Sequence, residues 1–238
     1  MSWVITGSEK VAQDPYLYTN TVLLLKGDGT NGSTTIPDSS KVAGSPKTVT
    51  AVGNAQISTS IADPFGNSTG VIAFDGTGDY LTLDGSAAFL FGTGDFTIEA
   101  WFRPSNLTGL KIIVDARPPG TSGVASHWVI ATDGATMNYA VAGSSYAGGA
   151  LSLNTWHFLA LSRASGSTRA FLDGVQIGST ITDTTNYLIG ASRPIIGADG
   201  NSPIALNFTG YMDDLRITKG VARYTANFTP PTAPFPDI

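Results

Sequence analysis

An all-β sandwich or barrel is the fold class that the sequence predicts, and three observations predict it. Apolar segments of four to eight residues, rich in Val, Ile, Thr, Phe and Trp, recur along the 238 residues between clusters of Gly, Asp, Asn and Ser. Residues 96–103 alternate, with Phe96, Ile98, Ala100 and Phe102 set against Thr97, Glu99, Trp101 and Arg103, which is the period of a strand with one core face. No long stretch repeats apolar residues at i, i+3, i+4 and i+7, so helices should be scarce.

In chain order, the expected strands begin with 21–26, a continuous apolar run stopped by Gly27 and Asp28. Strands at 48–52, 70–74 and 80–83 follow, the last two separated by a turn over Gly76–Thr77–Gly78. The alternating strand 96–103 is next, then 111–115, 126–131, 137–141, 156–162 and 168–172, each bounded by polar turn residues. Asp173–Gly174 sits between apolar runs and predicts a two-residue hairpin into 175–177, because a type I′ turn needs positive φ at both central residues. Strands at 194–197 and 210–217 close the series, and 86–90 and 220–224 read as single helical turns. The expected core between two sheets is Phe74, Ile98, Ala100, Phe102, Trp156, Phe158, Leu172 and Leu215.

Residues 1–18 carry Trp3, Tyr16 and Tyr18 without periodicity, and residues 229–238 hold four prolines and Phe235, a composition that favours an extended chain. The organisation expected is one domain over 19–228 between an N-terminal arm, 1–18, and a proline-rich tail, 229–238. Left on free arms, those aromatics would stay in water; Trp3, Tyr16, Tyr18 and Phe235 are therefore expected to bury against other subunits or a second copy. The alternative is that the tails fold back over the domain's own sheets.

Composition narrows the function. The chain has no cysteine, which removes disulfide scaffolds, thiolate zinc sites and cysteine nucleophiles together. A net charge of −5 argues against a nucleic-acid backbone as partner. The first residues lack the basic-then-apolar order of a secretion leader, and no apolar run is long enough to cross a bilayer, so neither a leader nor membrane insertion is expected.

Several phrases, in order, resemble the laminin-G-like branch of the concanavalin A-like lectin/glucanase superfamily. They are Leu23–Leu24–Leu25 with Asp28–Gly29, Phe74–Asp75–Gly76–Thr77–Gly78–Asp79–Tyr80–Leu81, and Phe96–Thr97–Ile98–Glu99–Ala100–Trp101–Phe102. Trp156–His157–Phe158–Leu159–Ala160–Leu161, Phe171–Leu172–Asp173–Gly174 and the run from Phe208 to Ile217 continue the series. The resemblance implies a jelly-roll β-sandwich of two curved antiparallel sheets, here with extended N- and C-terminal arms. Residues 220–224 followed by Phe228–Thr229–Pro230–Pro231 are similar to endings of this module in bacteriophage virion proteins. That implies a head-decoration or tail-fibre component on a virion surface, with virion subunits as partners. A secreted or cell-surface carbohydrate-binding module used for adhesion is the alternative.

The superfamily includes configuration-retaining glycosidases, which need two carboxylates about 5 Å apart. Glu9 and Glu99 are the only glutamates, neither lies in a Glu-x-Asp-x-Glu run, and Glu99 is expected to pair with an Arg on a semi-exposed sheet face. Gly-x-Ser-x-Gly and phosphate-cradling glycine loops are missing, and His127 and His157 sit in strand contexts beside tryptophans, so no enzyme is expected. Calcium is the cofactor that the loops could hold, since relatives of the laminin-G and pentraxin type bind it at a sandwich rim; its ligands would be Asp199 and Asn201, joined by Asp115. Asp, Asn and Gly also build turns without any metal. For glycan stacking the candidates are Trp101, Tyr146 and Tyr187, while Tyr139 is a further aromatic near a strand end.

Overall fold

The computed structural model describes residues 20–40, 46–84, 86–190, 193–200 and 204–236. Trp3, Tyr16, Tyr18 and Asn201 lie outside the described residues. Among the described residues fifteen strands form: β1 Thr21–Leu25, β2 Val49–Val52, β3 Gln56–Ser58, β4 Val71–Asp75, β5 Tyr80–Leu83, β6 Phe96–Pro104, β7 Leu110–Asp115 and β8 Val129–Asp133. They continue with β9 Thr136–Val141, β10 Ser144–Ala150, β11 His157–Ala164, β12 Ser167–Leu172, β13 Val175–Thr182, β14 Ile195–Ile196 and β15 Thr209–Lys219. A 3₁₀ turn, Ser86–Phe89, is the one helical element assigned among the described residues beyond an isolated position at Asn20.

Two antiparallel sheets stack as a jelly-roll sandwich. Sheet A runs β13-β12-β11-β6-β15-β4-β3, with β1 also paired to β15, and sheet B runs β10-β9-β8-β7-β14-β5-β2. The expected alternation holds in β6, where Phe96, Ile98, Ala100 and Phe102 are fully buried between the sheets. Residues directly opposite in an antiparallel pair share a face, so the pairing Leu159↔Ala100 and Leu161↔Ile98 sends Leu159 and Leu161 into the same core.

That register corrects two of the expected core residues. Phe158 lies opposite Trp101, on the outer face of sheet A, where it is buried in a separate cluster with Leu24, Ala160, Phe171 and Phe235. Trp156 precedes β11 and is only half-buried, its indole N–H donating to the Ala62 carbonyl at 3.2 Å. A one-residue difference in where the strand begins is enough to move a side chain to the other face.

The outer cluster exists because the C-terminal segment folds back. Tyr224 and Phe228 stack with ring centroids 3.7 Å apart, and both meet Phe158 and Phe171 edge-on. Phe228 N–H donates to Gly174 O at 2.9 Å, and a side chain at Gly174 would overlap the Phe228 carbonyl. Asp173 and Gly174 have φ of 52° and 79°, as the two-residue turn requires. Phe235 is 5% exposed, with its ring 3.6 Å from the Arg216 guanidinium carbon. Phe235 is therefore not a free anchor for another subunit; it covers this domain's own sheet, the second of the two outcomes weighed above.

Strand β15 changes neighbours part-way. Along one edge it pairs with β4 through Thr209–Met212 and then with β1, while β6 pairs with its other edge throughout. The handover is a bulge between Asp213 and Arg216, with Asp214 at φ 46°. Asp213 Oδ1 accepts the Asp214 N–H at 2.9 Å, and Asp214 Oδ2 accepts the Phe235 N–H at 2.7 Å. Burial, reinforced by Asp214, Asp63 and Asp28, pushes the Asp213 carboxyl up to about 9. Burial pushes Asp214 up to about 7, against the pull of the Phe235 N–H, Lys26 and Arg216.

Candidate ligand-binding surfaces

Of the residues expected to hold calcium, Asp115 is held instead by an arginine, Asp199 bonds to a backbone N–H, and Asn201 lies outside the described residues. Asp115 is fully buried, and Arg117 grips it through Nε to both oxygens at 3.0 Å and through Nη2 at 2.6 Å. The Arg117 and Gly200 backbone N–H groups complete its shell at 2.8 Å each. Asp199 Oδ1 accepts Ala205 N–H at 2.8 Å, and Arg193 ties the loops together by donating to Arg117 O and Gly200 O. A cation at Asp115 would have to displace Arg117 from its bidentate pair. Among the described residues no group of three or more His, Cys, Asp or Glu side chains is placed to hold a metal.

The three aromatics expected to stack on glycans lie in three separate places. Tyr187 is fully buried in the core, its hydroxyl donating to Asp183 Oδ2 at 2.8 Å and accepting Ala142 N–H at 3.0 Å, so it has no face for a ligand. Burial raises that hydroxyl well above the ordinary tyrosine range. Tyr146 is half-buried and stacked on Tyr139 with centroids 5.4 Å apart, on the inward side of the edge strand β10. Trp101 is half-buried on the outer face of sheet A, edge-on to Phe65 and Phe158.

The polar residues singled out in strands serve the fold. Glu99 is fully buried rather than semi-exposed, paired with Arg216 at 2.8 Å and Arg223 at 3.4 Å and accepting the Tyr224 hydroxyl. His157 Nε2 accepts the Ser152 N–H at 3.0 Å, which leaves Nδ1–H to donate to Asp173 Oδ2 at 2.8 Å. The neutral imidazole is thus a brace between a loop and a hairpin.

Two of the concavities among the described residues lie on the outer faces of the sheets. The larger, about 560 Å³, lies on the outer face of sheet B beside residues 122–125. Its floor is Ile112, Val129, Ala131 and Ala140, with Val124 packed against them. These side chains are short and apolar, and Arg117, at its rim, is already committed to Asp115 and to Ser122 O.

The smaller cleft, about 230 Å³, has more recognition chemistry. Across sheet A, Gln56 pairs with Ala73, Ala73 with Tyr211, and Tyr211 with Arg103, so these four form a row on the outer face. The short Ala73 leaves a hollow between the Gln56 amide and the half-buried Tyr211 ring. Strand ends wall it: Asn54, Asp75, Ser105 and Thr209 line the hollow with Gln56 and Tyr211. Buried Asp79 fixes two of those walls, accepting Asn54 N–H at 2.8 Å through Oδ1 and Asp75 N–H at 2.7 Å through Oδ2. The exposed Asp75 is oriented by the Thr77 N–H, which donates to Oδ1 at 2.7 Å. The Arg103 guanidinium lies over the Tyr211 ring, 5.8 Å from its centroid, and is itself bonded to Asn154 Oδ1 at 3.4 Å. One tyrosine, the exposed carboxylate of Asp75, two carboxamide residues and two aliphatic hydroxyl residues thus line one hollow. The sequence marked Asp75 and the Phe208–Ile217 run as phrases, but nothing local joins them to Asn54, Gln56 and Ser105.

This architecture matches known proteins as follows. The family model of the concanavalin A-like lectin/glucanases superfamily matches residues 75–223, and the chain belongs to that superfamily. No curated protein matches the chain in sequence. Domain 4 of AbnA, a GH43 extracellular arabinanase from Geobacillus stearothermophilus solved in complex with arabinotriose, superposes with a TM-score of 0.58 at 18% identity, over 86% of this chain and 95% of that one. The receptor-binding domain of botulinum neurotoxin C/D mosaic serotype gives 0.59 at 13% identity, over 85% and 49%. The botulinum neurotoxin serotype G binding domain gives 0.58 at 14%, over 86% and 49%, so the chain spans about half of each toxin domain. At these identities the likeness is one of fold.

Proposed function

We propose that the chain is a non-enzymatic glycan-binding module and that the Tyr211 cleft receives the sugar. The observation that carries the reading is the convergence of the Tyr211 ring with Asp75, Asn54, Gln56, Ser105 and Thr209 in one hollow. A pyranose or furanose has C–H patches that pack on an aromatic face and hydroxyls that bond to planar carboxylate and amide groups. Domain 4 of the arabinanase, which shares the fold, was solved in complex with arabinotriose, and this supports a sugar as the ligand class. Binding without hydrolysis is supported by Glu99, which lies buried and ion-paired. Display on a phage particle is the part of the proposal that rests on the resemblance of residues 220–224 and 228–231 alone; detecting the chain in purified virions tests it. The binding reading is tested by a glycan array followed by calorimetry on the best ligand. Tyr211→Ala should weaken binding at least about tenfold with the fold intact. Absence of any glycan binding, or binding untouched by Tyr211→Ala, contradicts it.

A further inference from the structure

From the charges in this cleft we infer its ligand class: it selects uncharged glycans and rejects uronate, sialylated and sulfated ones, with Asp75 as the selecting residue. The inference rests on the glycan reading of the same cleft. Asp75 and Asp79 are both acidic, and none of the lining residues is Lys, Arg or His. Asp79 spends its oxygens on the Asn54 and Asp75 N–H groups, whereas Asp75 gives Oδ1 to Thr77 N–H and no described protein group takes Oδ2. The nearest cation in the row, Arg103, lies over the Tyr211 ring, is not a lining residue and is bonded to Asn154. Tyr211 is the one other titratable side chain that lines the hollow.

An oriented carboxylate with a free oxygen accepts from sugar hydroxyls, and charge-assisted bonds of this kind are the stronger ones. The same oxygen repels an anionic substituent on the ligand, and no cation lines the hollow to offset the repulsion. At about 4 Å in a partly solvated cleft, this like-charge contact lowers affinity by about tenfold or more.

The test is a panel of matched pairs: galactan with galacturonan oligomers, glucan with glucuronan, and mannan with mannuronan, titrated at low and high salt against the wild type, Asp75→Asn and Tyr211→Ala. Asn can keep the bond to Thr77 N–H and loses only the charge. The expected result is a preference of about tenfold or more for the neutral member of the pair that binds, reduced by high salt. In Asp75→Asn the preference should fall below about threefold while neutral binding weakens by less than about tenfold. Equal binding of a uronate, or a neutral preference that Asp75→Asn does not change, overturns this inference and leaves the glycan reading standing. If no member of any pair binds, both fall.

Discussion

The bulge in β15 makes an unusual statement about pH. Asp213 is 3% exposed, and its carboxyl is pushed up to about 9, against about 3.9 for an unfolded aspartate. Between those values the folded chain holds a proton that the unfolded chain has released. The unfolded state then binds fewer protons, so stability falls as pH rises through this window and levels off above about 9. Asp214 acts in the same direction, up to about 7. The groups that face the pair are Lys26 and Asp28 beyond β1, Asp63 from the segment before β4, and Arg216 on β15 itself. One such group contributes about 1.4 kcal/mol per pH unit, so Asp213 alone removes about 3 kcal/mol between pH 5 and pH 7. For a domain of this size that is a fall in Tm of about 6–12 °C. Asp213→Asn keeps an oxygen for the Asp214 N–H and cannot ionise; its melting curve should lose this share of the slope and lie above the wild type at alkaline pH. Calorimetric scans of both proteins at several pH values check this. A wild-type Tm that is flat or rising from pH 5 to pH 7, with Asp213→Asn superimposed on it, refutes the reasoning.

Three further outcomes follow from the packing. Arg163 is fully buried between the Phe96 and Tyr187 rings and donates to the carbonyls of Gly92, Gly94 and Thr185; Arg163→Met should cost about 3–5 kcal/mol in denaturant unfolding, by removing the donor to the Gly94 and Thr185 carbonyls and the cation beside Asp183. Phe235→Ala, which uncovers Arg216 and the outer cluster, should cost about 3 kcal/mol and make residues 220–236 the first site of limited proteolysis. Millimolar calcium should leave Tm within about 1 °C, because Arg117 already occupies Asp115; a clear rise would show a metal bound elsewhere.

The parts of the fold legible in the sequence were those set by local chemistry. The alternation in β6, the Asp173–Gly174 turn and the short apolar runs each signal through neighbours one to four residues away. Strand β10, Ser-Ser-Tyr-Ala-Gly-Gly-Ala, has almost no strand propensity; it forms because the Ala142–Gly143 turn, at φ 51° and 74°, lays it beside β9. The three-residue β3 is likewise defined by its partner β4. Phe158 lies on the face opposite to the one expected because a run of buried residues on both sides of β11 carries no period-two signal, and Tyr224, which covers its outer side, lies more than 60 residues further on. The cleft was hidden for the same reason. Its residues come from the β2–β3 turn, the end of β4, the end of β6 and the start of β15, and only the sheet register brings Gln56, Ala73 and Tyr211 into one row.

The central claim, that a sugar sits in the Tyr211 cleft, is tested most directly by an amide chemical-shift titration with the tightest-binding neutral oligosaccharide. Saturable shifts should centre on Asn54, Gln56, Asp75, Ser105, Thr209 and Tyr211, with Ile112, Val129, Ala131 and Ala140 across the sandwich unmoved. Shifts confined to that second set, or an unchanged spectrum at saturating sugar, would contradict it.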